Sequence, residues 1–147
     1  VTSTPAASRT GLAALAVLLL SASGCGAQRP TEEPVDSSGG PVITPAEPWE
    51  SYPLAEVGGD LALREGCLLL GDELVFWPHG TTFDESAGSV VFADGPPAVV
   101  GTSFTGGGGH YPAGTDFTAW LGAETGEAIS ACQQSTGVSR VVFAYPA

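Results

Sequence analysis

Two histidines, His79 and His110, are the only imidazoles in the chain. An imidazole can carry a proton near neutral pH or bind a metal ion through a ring nitrogen. With Asp84, Glu85 or Asp116 the pair would make a metal site if their loops converged. Their spacings fit no established ligand pattern, and the same residues read as solvated loop side chains. Ser89, Ser103, Ser130, Ser135 and Ser139 offer hydroxyls, but none lies in a G-x-S-x-G elbow. The neighbouring acids Asp72-Glu73 and Asp84-Glu85 resemble a carboxylate dyad in type, yet adjacent acids in turns are normally solvated. Gly106 to Gly109 could cup an anion on backbone amides. The Lys-Ser/Thr of a phosphate loop is missing, so the expectation there is a turn or bulge where chains pass closely. No metal, cofactor or catalytic residue is assigned.

Aromatic side chains offer a different chemistry. Trp49, Tyr52, Trp77, Tyr111, Trp120 and Tyr145 are many polar-tipped rings for so short a chain. Some must fill a core. Trp77 and His79 flank Pro78, and His110-Tyr111 follows four glycines, so Trp77, His79, His110 and Tyr111 are the candidate binding residues. An exposed ring on such a loop can hold a sugar, a peptide or a protein partner.

The charge narrows the partners. Sixteen acids face four Arg, there is no Lys, and the net charge is -12 over 147 residues. Such a surface repels phosphate backbones, so nucleic acid is disfavoured. It also offers nothing to anionic lipid headgroups. The absence of Lys, Asn and Met, with Val1 in first position, fits GC-rich coding and a GTG start in a high-GC bacterium.

Residues 1–24 read as a signal peptide. Arg9 lies in a short polar start, and Leu12 to Leu20 is an unbroken apolar run. That run is too short to cross a bilayer, which needs roughly 20 residues. Small residues then lead into Cys25. Ala22-Ser23-Gly24-Cys25 resembles the lipobox of bacterial lipoproteins, although Leu is usual where Ala22 stands. The resemblance implies cleavage before Cys25 and attachment of diacylglycerol to its thiol. Two or three acyl chains would hold the chain on the extracytoplasmic side of a cell membrane. Residues 25–48 carry Pro30, Pro34, Pro41, Pro45 and Pro48 without apolar periodicity, as a linker does. In polyproline geometry it would reach about 70 Å, and as a coil about 25–30 Å.

Residues 49–147 form the expected domain. Asp60 to Arg64 alternates. Cys67–Leu70 and Glu73–Trp77 flank Gly71-Asp72, a two-residue hairpin signal. Ser89–Ala93 and Ala98–Gly101 flank Asp94-Gly95. Phe117–Leu121 reads as a short strand, and Val138–Tyr145 as the last one. Thr125 would cap one short helix through Cys132, and Gly137 would end it. The fold class is therefore mainly all-β. The expected form is a small OB-like barrel of five or six strands with one short helix, or else a small sandwich. Gly66-Cys67-Leu68, followed by Val75, Trp77-Pro78-His79-Gly80-Thr81 and a Gly-rich turn at 106–109, resembles small secreted or lipid-anchored bacterial domains with a G-C-L…V-x-W-P-x-G-T signature. That resemblance implies the β fold and no chemistry.

Export gives the remaining cysteines a role. In an oxidising compartment Cys67 and Cys132 are expected to pair, closing a loop worth roughly 4 kcal/mol. Buried free thiols, a nucleophile or a metal ligand are the competing readings. Taken together, the sequence points to a cell-envelope lipoprotein with a non-enzymatic binding or structural domain. Its partners would be the membrane, through the lipid, and an envelope protein or cell-wall component. A small envelope hydrolase or metal-dependent enzyme is the alternative.

Overall fold

The computed structural model describes residues 40–147. The expected leader, the expected acylation site at Cys25 and most of the expected linker lie outside the described residues. The fold is mainly β, as expected, with eight strands and two helices among those residues.

Five strands hydrogen-bond in a closed ring: β1 (Ala55–Arg64), β2 (Cys67–Leu70), β3 (Glu73–Phe76), β8 (Val141–Pro146) and β7 (Ser103–Tyr111). β1 is long enough to serve two neighbours. Its first half pairs with β7 and its second half with β2. The β1–β2 and β2–β3 turns have two residues each, with positive φ at Glu65, Gly66 and Gly71, as tight hairpins require. β3 and β8 pair in parallel, while the other ring pairings are antiparallel. Three short strands, β4 (Thr82–Asp84), β5 (Ser89–Val91) and β6 (Ala98–Val99), form a second sheet.

Side-chain alternation sorts the core into two layers. Val57, Leu61, Leu68, Leu70, Val75, Trp77, Phe104, Val142 and Ala144 come from, or directly follow, all five ring strands and form one cluster inside the ring. Val90, Phe92 and Ala98 of the small sheet and its loop join it. The intervening residues Cys67, Leu69, Leu74, Phe76, Val141 and Phe143 point outward and pack with Phe117, Leu121 and Ile129. β2, β3 and most of β8 are thus buried on both faces, which is why they read as continuous apolar runs.

The helices complete the outer layer. α1 (Phe117–Leu121) is a helix where the sequence suggested a strand. The Asp116 carboxylate accepts the Ala119 amide and caps its start, and Gly122 ends it. α2 (Ala123–Thr136) starts before Thr125, so Thr125 is not its cap. Gly137 ends α2 in the left-handed conformation, as expected. The Thr125 hydroxyl instead donates to the Thr44 carbonyl. Trp77 donates its backbone amide to Ile43, and Ile43 is buried. Ile43 thus adds apolar surface to the outer layer.

The Cys67–Cys132 disulfide joins β2 to α2 across 65 residues. It fastens the helical layer to the ring it covers.

Gly106 to Gly109 does not form a turn. All four lie within β7. A Cβ at Gly106 would sit 2.1 Å from the Tyr145 carbonyl oxygen, and one at Gly108 1.9 Å from that of Phe143. The expected close passage of chains is therefore real, but it occurs between two ladder strands. Extended backbone of this kind is not an anion nest.

Candidate binding groove

The outer layer is built largely of rings. Phe143 lies at the centre, with Trp49 4.7 Å away, Phe76 5.1 Å and Tyr52 5.2 Å between ring centroids. Trp120 packs on Tyr111 at 5.0 Å and on Trp49 at 5.1 Å. These tilted contacts suit the ring quadrupoles. Five elements bring the rings together: residues 49–53, β3, the end of β7, α1 and β8. The Tyr145 hydroxyl donates to the Pro53 carbonyl and pins the first of these to β8.

Among the described residues the layer does not close. An open groove of about 630 Å³ is lined by Pro48, Trp49, Glu50, Ser51, Tyr52, Pro53, Tyr111 and Trp120. That volume lies within the range of ordinary ligand sites. Trp120 is 46% exposed. Burial pushes the Tyr111 hydroxyl above its ordinary pKa, so it remains a neutral hydrogen-bond donor and acceptor.

Of the four residues singled out in the sequence, only Tyr111 lines this groove. Trp77 must be withdrawn as a surface contact. It is 0% exposed inside the ring, with Phe92 at 5.3 Å and Phe104 at 5.5 Å. By alternation it points inward, as Val75 does. Its indole nitrogen is buried and meets no acceptor among the described residues. Trp49, Tyr52 and Trp120 belong in its place. Trp120 was obscured because Phe117–Leu121 resembles a strand. The Asp116 cap and Gly122 stop were the available signals for a helix.

The histidines do not converge. His110 lies beside Glu73 at the start of β3, whereas His79 follows the end of that strand. His79 donates from Nδ1 to the Pro45 carbonyl at 3.1 Å. His110 Nδ1 is 2.6 Å from Glu73 Oε2, and Arg140 Nη2 is 2.9 Å from Glu73 Oε1. The Arg140 contact is an ion pair without an aligned hydrogen bond, since Oε1 has no partner by hydrogen-bond geometry. Glu73 is almost buried, so the Arg140 guanidinium offsets part of the cost of placing a carboxylate at the ring's end, and the His110 ring meets its other oxygen. This cluster ties β3, β7 and the start of β8 together.

Other chemical candidates serve local structure. Asp84 accepts the Ser86 hydroxyl and the Ala87 and Ser86 amides, which lowers its carboxyl pKa and forms the β4–β5 turn. Ser103 donates to Asp60, and Ser135 to the Cys132 carbonyl. Cys67 and Cys132 are bonded to each other, so neither is a thiol nucleophile or a metal ligand in this state. Among the described residues no group of three or more His, Cys, Asp or Glu side chains is placed to hold a metal ion. No described helix is long and apolar enough to cross a membrane.

No protein-family model, curated protein or solved structure matches this chain.

Proposed function

We propose that this chain is a lipid-anchored protein of the bacterial cell envelope whose domain binds a partner through the aromatic groove. The half-exposed Trp120, seated on Trp49 and Tyr111, carries the proposal. A large ring kept in solvent forfeits burial energy, and contact with a partner recovers it. The anchor rests on the lipobox-like Ala22-Ser23-Gly24-Cys25 and the apolar run before it. The Cys67–Cys132 disulfide is consistent with an oxidising compartment.

An OB-like barrel is the form that best fits the ring. Counting only ring strands, the order is 1-2-3-5-4, with the third and fifth parallel. Barrels of that kind use the face of strands two and three to bind oligomeric ligands. Here α2 and the outer layer cover that face, which leaves the ring-lined groove beside it as the open surface.

Two measurements test the proposal. Mass spectrometry of the native product should find the chain starting at Cys25 with diacylglycerol attached. A photo-crosslinking residue at position 120 should capture a discrete partner in cells, while one at Val99 on the small sheet should not. An intact leader would overturn the anchor, and equal capture from both positions would overturn the groove.

A further inference from the structure

Resting on that reading of the groove, we propose that its occupant is a cationic peptide segment of another envelope protein, seated by an Arg or Lys side chain against Trp120 and Trp49 beside Glu50. Three features select positive charge. Among the described residues, Glu50 is the one charged residue lining the groove. The faces of Trp and Tyr rings are themselves negative and attract a cation through their quadrupoles. The surrounding field has the same sign, since residues 40–147 carry thirteen acids and only Arg64 and Arg140 as bases. One of these, Arg140, is already engaged with Glu73.

The shape selects a peptide over an enclosed small molecule. Trp49 and Trp120 are 5.1 Å apart and touch each other, so they cannot clamp an ammonium group between them. They offer a platform instead. A guanidinium stacks flat on such a surface. Pro48 and Pro53 extend the platform with apolar surface for the flanking residues. A neutral sugar would use the rings but gain nothing from Glu50's charge or the overall field.

The experiment is titration of the full chain in detergent with a short Arg/Gly peptide at low salt, followed by calorimetry. A Glu/Gly peptide and a chitin tetrasaccharide serve as comparisons. The Arg/Gly peptide should bind and the Glu/Gly peptide should not. Trp120→Ala should weaken binding about five- to thirtyfold, and Glu50→Gln about threefold. Both substitutions are at exposed positions, and circular dichroism should show the fold unchanged. Equal binding by the parent chain and both variants would mean diffuse surface attraction and would overturn the inference. Binding of the tetrasaccharide alone, lost in Trp120→Ala, would also overturn it while leaving the groove as the recognition site. Failure of all three probes would overturn it as well, and the crosslinking measurement above would then decide whether the groove binds anything.

Discussion

Trp77 and Trp120 belong to the two apolar layers of one domain, and their surroundings differ completely. Trp77 sits inside the ring with no exposed surface, while nearly half of Trp120 faces solvent. The inner layer draws on all five ring strands and on the small sheet, so every direction around Trp77 is filled. The outer layer rests chiefly on β2, β3 and β8. The helices and residues 43–52 must complete it, and they cover it only in part. A closed ring therefore makes a core from its own alternation. A layer assembled from added segments leaves an edge, and here that edge is a groove lined with rings.

The comparison can be broken by substitution. Trp77→Ala should be the most damaging change, lowering unfolding free energy by about 5 kcal/mol through lost burial and a cavity that the strands cannot collapse. Urea denaturation would measure it, and a loss under about 2 kcal/mol would mean the ring interior is not the main core. Removing the disulfide in Cys67→Ser/Cys132→Ser should cost roughly 4 kcal/mol. The loss should fall unevenly, with α2 amides gaining faster hydrogen exchange than β3 amides. Uniform acceleration would argue against a separable outer layer. Phe143→Leu should cost about 1–2 kcal/mol, because the ring contacts shrink while the site stays apolar. Trp120→Ala should cost less than about 1 kcal/mol. A loss as large as that of Trp77→Ala would show that Trp120 is core, and the groove would lose its candidacy.

Much of the strand layout could be read along the chain. The Gly71-Asp72 hairpin, the apolar runs of β2 and β3, the last strand and the Gly137 stop follow from local turn chemistry and side-chain pattern. The candidate site was legible only at Tyr111. Its other rings come from residues 49 and 52 and from α1, and no local periodicity links segments so far apart. The burial of Trp77 was equally hidden. Its inward direction depends on counting from β3's register, while the adjacent Pro78-His79-Gly80 suggests a loop.

What the sequence determined alone was composition and local preference: a strongly acidic chain, a β-rich domain, tight turns and a pair of cysteines suited to bridge. These depend on residues close together, or on counts that no fold can alter. The tertiary structure decided which rings are buried, that His79 and His110 stay apart, and that four glycines lie in a strand against β8. Those outcomes depend on ring closure, which fixes the facing direction of each side chain by pairing strands distant in sequence.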